Sequence, residues 1–147
     1  LYVLNVGATT ISAYTINSGT GVLTPTAPAT FAEGGTSPLR MAIDPAGKFL
    51  YVSNVSSNNI SAFAINQVSG NLSPVAGSPF NGTGLSQPMG LAISPDGAIL
   101  AVGFSGEYKL ALFGVNSTTG VISSLGTSMV IGDTPRSVIF HQQSVYH

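Results

Sequence analysis

Apolar residues in this chain fall in short runs of about five to seven, broken by Gly, Asn, Ser and Pro. Runs of that length, rich in β-branched and aromatic types, predict strands. They include Arg40 to Asp44, Phe49 to Asn54 and Ile60 to Asn66. Between the first two, Asp44-Pro45-Ala46-Gly47 carries turn chemistry, as does Ser94-Pro95-Asp96-Gly97 further on. Proline presets φ near about −65° and glycine accepts positive φ, so each tetrapeptide predicts a hairpin reversal. Leu72 to Phe80 predicts a fourth, weaker strand whose prolines suit a sheet edge. Along Ile60 to Asn66, Ile60, Ala62 and Ala64 point one way and Phe63 and Ile65 the other, so both faces are apolar. A sheet with two greasy faces has to lie between neighbours.

The pattern recurs with a period of about 50 residues. LYVLN at Leu1 returns as LYVSN at Leu50 and LAVGF at Leu100, and TISAYTIN at Thr10 returns as NISAFAIN at Asn59 and KLALFGVN at Lys109. The turns repeat too, as NSGTG, NQVSG and NSTTG ending at Gly21, Gly70 and Gly120. A further segment opens with SPLRMAID at Ser37, recurs as QPMGLAIS at Gln87 and starts again as TPRSVIF at Thr134. The expected fold is all-β: β-propeller blades of four antiparallel strands, in three repeats that make a partial ring. The expected division is a partial blade over 1–36, blades over 37–86 and 87–133, and the first strand of a further blade in 134–147, with the strand itself at Arg136 to Phe140. Propellers close with about four to eight blades. The chain therefore reads as a fragment of a larger ring, with open blade edges available for self-association, including a dimer that shares the strand at Arg136.

Composition narrows the chemistry. Charged residues are 6% of the 147, the net charge is −1 and the mean hydropathy is +0.39, which argues against disorder and leaves no basic cluster to neutralise nucleic-acid phosphates. No apolar run approaches the ~20 residues of a membrane helix. Without cysteine there is no disulfide, thiol nucleophile or zinc-thiolate site. Scarce charge and Ser/Thr/Asn-rich turns lean towards a periplasmic or extracellular setting.

Few side chains are candidates for a site. Arg136, opening a first strand, is placed to face a central channel and hold a carboxylate or phosphate, its plainer reading being a solvated strand end. Arg40 sits one residue later relative to Pro38, which predicts the opposite face and a structural role. Glu107, Tyr108 and Lys109 form a local cluster of charge and aromatic ring in a loop between two strands, suited either to binding or to an exposed hairpin. Asp44 and Asp96 read as turn-stabilising acceptors. His141 and His147 have no carboxylate or cysteine partners in the sequence pattern and predict no metal site. No G-x-S-x-G nucleophile motif occurs, and no cofactor is expected.

The units LYVSN, NNISAFAIN, VSGNLSPVAGSPF and QPMGLAISPDGAILAV resemble the YVTN-type repeats of the lactonase-like seven-bladed propeller family. That family includes 6-phosphogluconolactonase-type enzymes and carboxy-muconate cyclases, and the resemblance extends along the whole chain. In its enzymes a histidine follows the proline opening one first strand, Gly-Pro-Arg-His opens another, and a glutamate lies downstream. Here Pro88 is followed by Met89 and Pro135-Arg136 by Ser137, so the resemblance carries over Arg136 and assigns no catalytic residue in this chain. Two function classes follow. One is a non-catalytic propeller segment that binds a small anionic or sugar-derived ligand, or a protein. The other is a lactone hydrolase of carbohydrate metabolism with Arg136 as anion anchor.

Overall fold

The computed structural model describes residues 1–81 and 84–141, and these contain strands and turns without a helix. They form three antiparallel meanders. The first joins β1 (Tyr2–Asn5), β2 (Thr10–Ile16) and β3 (Leu23–Ala32) in chain order. The second joins β4 (Pro38–Ile43), β5 (Phe49–Asn54), β6 (Asn59–Ile65) and β7 (Leu72–Pro74), with β8 (Phe80–Asn81) also paired to β6. The third joins β9 (Pro88–Ile93), β10 (Ile99–Phe104), β11 (Lys109–Val115) and β12 (Ile122–Val130).

The repeated turn sequences explain why each copy folds alike. Asn17, Asn66 and Asn116 each accept, through Oδ1, the N–H groups two and three residues on, at 2.9 to 3.0 Å. Each asparagine carbonyl then takes the N–H of Gly21, Gly70 or Gly120 at 2.8 Å. Those glycines have φ of 72 to 74°, a conformation that costs a residue with a Cβ roughly 1 kcal/mol or more. In the Pro-Gly turns the acceptor varies while the bond is kept. Asp44 Oδ1 receives the N–H groups of Lys48 and Phe49 at 2.6 Å. Ser94 Oγ receives that of Ile99 at 2.9 Å and donates to Asp96.

The two-faced pattern has its expected consequence in packing. On β5, Phe49 and Tyr51 belong to a core shared with the third sheet, including Leu100, Val102 and Phe104. The alternate residues Leu50 and Val52 join Ile11, Phe63 and Leu72 in the core against the first sheet. All of β5 is buried. The second sheet is thus filled on both sides, and β4 and β9 meet at the edge where the sheets converge. This stacking of antiparallel sheets of three to five strands is that of propeller blades in a partial ring. The outward faces of the end sheets keep apolar groups exposed, among them Leu1, Val3 and Val22 on one side and Leu125 and Met129 on the other.

Tyrosines latch each sheet to the next. The Tyr2 hydroxyl donates to the carbonyl of Gly70 at 2.6 Å, and the Tyr51 hydroxyl to that of Gly120 at 2.9 Å. Both acceptors are the turn glycines of the following repeat. The matching residue of the third sheet is Ala101, which has no hydroxyl to continue the series.

Two strand expectations need correction. The fourth strand expected over Leu72 to Phe80 is split into β7 and β8, because the intervening residues loop out and Ser78 Oγ accepts the Ala62 N–H in place of a ladder carbonyl. The first strand expected at Arg136 to Phe140 is not a strand. Residues 135–137 lie beside β9, with the Gly90 N–H donating to the Pro135 carbonyl at 3.3 Å, and among the described residues no strand pairs with them in a ladder.

Candidate functional site

The first strands of successive repeats come together at the converging edge. There Arg40, Met41, Gly90, Leu91, Arg136, Ser137 and Val138 line one opening of about 60 Å³. Arg40, Gly90 and Ser137 hold the same place in their repeats, two residues after Pro38, Pro88 and Pro135. Gly90 makes the convergence possible. A Cβ there would meet the Ser137 main chain at 2.8 Å, and one on Gly103 would crowd the Pro135 ring at 2.6 Å. Two small residues therefore let the segment carrying Arg136 settle onto the third sheet.

Arg40 and Arg136 border the same opening. The β4–β5 register shifts between Pro38 and Arg40, where Ser53 Oγ accepts the Arg40 N–H at 3.2 Å and donates to the Met89 carbonyl at 2.7 Å, and the β9–β10 register shifts at the matching place. Both arginines are exposed, and Arg40 Nη1 donates to the Leu39 carbonyl at 3.0 Å. Two fork-shaped donors at one rim suit a carboxylate or phosphate.

The other candidate cluster is not brought to this opening. Glu107 and Tyr108 lie in the β10–β11 turn, and Lys109 begins β11 rather than sitting in the loop. Glu107 is an anchor, its carboxylate accepting both the N–H and the hydroxyl of Ser86 at 2.8 Å. Those bonds, the backbone one foremost, hold its acidity below the usual carboxylate range. Ser57 does the same service one repeat earlier, accepting the Thr36 N–H at 3.0 Å. Tyr108 is half exposed in the left-handed region with φ 54°.

A larger cleft of about 300 Å³ opens at the turns of the second and third sheets, lined by Asp44, Lys48, Phe49, Asp96 and Ser117 among others. Its carboxylates are committed to turn bonds, Asp44 through both oxygens and Asp96 through the Ser94 hydroxyl and the Ala98 N–H. The arginine opening therefore has the better claim to an anion. Among the described residues no group of three or more His, Asp or Glu could hold a metal. His141 is exposed, and His147 lies outside the described residues. No helix of the described residues is long and apolar enough to cross a membrane.

What sequence reasoning missed here is Gly90 and Ser137. The signal was their shared register with Arg40, which the repeat alignment already contained.

Comparison with solved structures agrees with this architecture. A candidate 6-phosphogluconolactonase from Bacteroides fragilis superposes with a TM-score of 0.79 at 21% identity, over 92% of this chain and 37% of its own. The periplasmic gluconolactonase of Pseudomonas aeruginosa gives 0.74 at 20%, over 90% and 38%. A functionally unknown protein from Desulfotomaculum acetoxidans gives 0.70 at 26%, over 84% and 36%. The chain thus spans less than two fifths of the length of these structures. No curated protein sequence matches it. The profile described as "Lactonase, 7-bladed beta-propeller" matches residues 1–85, more than half of the chain, and with the stacked sheets and tyrosine-latched turns it shows that this chain belongs to the lactonase seven-bladed β-propeller family.

Proposed function

We propose that the chain is a sector of a lactonase-like ring that binds a small sugar-derived anion at the converging edge of its first strands, without itself supplying catalytic groups. The observation that carries this reading is the pairing of Arg40 with Arg136 around one opening. Arginine forks recognise planar carboxylates and phosphates bidentately. Similar folds bear the names gluconolactonase and 6-phosphogluconolactonase, and opening a sugar lactone generates such a carboxylate.

Titration of the chain with gluconate and with 6-phosphogluconate, followed by calorimetry, tests the reading. Saturable binding is expected, weaker by about tenfold in Arg136→Ala, since a hydrogen bond to a charged group contributes about 1.5–3 kcal/mol. Absence of saturation for both anions, or affinity indifferent to both Arg40→Ala and Arg136→Ala, refutes it. The second reading, lactone hydrolysis, is favoured by the family itself. It requires the chain to open gluconolactone faster than buffer does, and its test is a pH-stat assay in which Arg136→Ala lowers the rate.

A further inference from the structure

One peptide group beside the arginine opening is held from both ends. Ser53, 0% exposed on β5, has its Oγ 2.7 Å from the Met89 carbonyl and 3.4 Å from the Arg40 carbonyl, and it accepts the Arg40 N–H at 3.2 Å. A hydroxyl has a single proton to donate, and the shorter contact takes it, so Ser53 is bonded to Met89. The Met89 carbonyl and the Gly90 N–H belong to the same peptide, and that N–H donates to the Pro135 carbonyl at 3.3 Å. Pro135 is joined directly to Arg136. An unbroken line of hydrogen bonds therefore runs from the Arg40 main chain, through Ser53 and the first residues of β9, to the peptide that leads into Arg136. Its three donors all point the same way along the line, so each bond polarises the next.

Ser53 is the one link in this line made by a side chain; the other groups are main chain, which any sequence supplies. Of the three matching positions only this one has a hydroxyl. The first copy has Leu4, and the third has Gly103, where a Cβ would crowd the Pro135 ring. Both arginines border the opening, while Ser53 is buried behind it. Resting on the anion reading above, we infer that Ser53 is a positioning residue for the opening: it fixes where the Arg40 main chain stands relative to Arg136, and so how well two guanidinium groups meet one anion. A site whose supporting bonds are lost keeps its residues and loses its geometry.

The test is calorimetric titration of the parent, Ser53→Ala, Arg40→Ala and the double variant with gluconate and with 6-phosphogluconate. Ser53→Ala is expected to weaken binding about three- to tenfold, the net effect of one hydrogen bond. Because the effect passes through Arg40, the double variant should bind no more weakly than Arg40→Ala. Ser61→Ala removes a similarly buried hydroxyl that lies outside the line and accepts from Asn54 Nδ2 at 2.9 Å; it should leave affinity unchanged, which separates placement from general loosening. Ser53→Cys keeps a weak donor at the same place and should fall between the parent and Ser53→Ala, and it carries the test if the alanine variant does not fold. Affinity in Ser53→Ala or Ser53→Cys equal to the parent's, or losses that multiply in the double variant, would overturn this assignment and leave the anion reading standing. A parent that binds neither anion would overturn both.

Discussion

Replacing Tyr51 by phenylalanine removes one oxygen from the junction of the second and third sheets and tests how the blades are fastened. The ring stays where it is, 0% exposed and packed in the shared core, so the change isolates the hydrogen bond to the Gly120 carbonyl. Gly120 is buried, so its carbonyl would face the interior with that partner gone. An unsatisfied buried acceptor costs about 1–3 kcal/mol. At the middle of that range the melting temperature falls by roughly 4 to 8 °C. Tyr2→Phe breaks the matching bond to Gly70 where water can replace the hydroxyl, so about 0.5–1.5 kcal/mol is expected. The assay is urea unfolding followed by circular dichroism, read as a shift of midpoint at unchanged slope. The same pair separates at high pH. Burial, and then the negative charge of Asp44, push the Tyr51 phenol well above its ordinary value. A raised pKa means the folded state favours the protonated phenol. Its stabilising contribution is complete below about pH 10 and is lost as the pH climbs from there towards the folded value. Tyr51→Phe should therefore flatten the alkaline limb of stability. A Tyr51→Phe midpoint equal to the parent's, or a larger loss in Tyr2→Phe, would refute the latch.

Two further outcomes follow from the same contacts. Gly120→Ala places a methyl at φ 74° and into the Phe49 ring, and should cost roughly 2–4 kcal/mol from strain and overpacking together, read as a fallen midpoint in the same urea assay. Glu107 has its acidity lowered mainly by the Ser86 N–H and hydroxyl, so its contribution is present above the unfolded carboxylate value and is lost as the pH falls through the folded one. Glu107→Gln should accordingly shallow the acid limb below about pH 4.5, and a limb unchanged in slope would show that the Ser86 contact does not hold in solution.

The fold was legible because its determinants are local and repeated. An asparagine that caps its own turn and a glycine four residues later at positive φ specify a hairpin wherever they occur, and they occur in three copies. The double-sided strands were equally legible, since alternation of Ile60, Ala62 and Ala64 with Phe63 and Ile65 maps directly onto two cores. The site was less so, for reasons that lie between repeats. The opening that Arg40 shares with Arg136 is built by segments far apart in the chain, and nothing in the local sequence marks the register shift between Pro38 and Arg40. Glu107 could be read either as a binding residue or as part of an exposed hairpin, and its partner, Ser86, lies 21 residues earlier, out of reach of a local reading. The tyrosine latch did leave a trace: tyrosine at one register in two copies and alanine in the third.

Those departures from perfect repetition locate the chemistry. A repeat reproduced without change would give every junction the same latch, the same turn and the same inner edge, and no place on the ring would differ from another. Here the register that holds Arg40 in one copy holds Gly90 in the next and Ser137 in the third. The large cationic side chain at one position is usable because the next is empty. Through Gly90 the chain from Pro135 comes within main-chain contact of β9, and Arg136 reaches the rim that Arg40 already occupies. A side chain at residue 90 would meet the Ser137 main chain at 2.8 Å and push that segment away from β9, although every strand of the sheet could still form. Shape in this protein comes from what the copies share, and the proposed anion site from the single positions at which they differ.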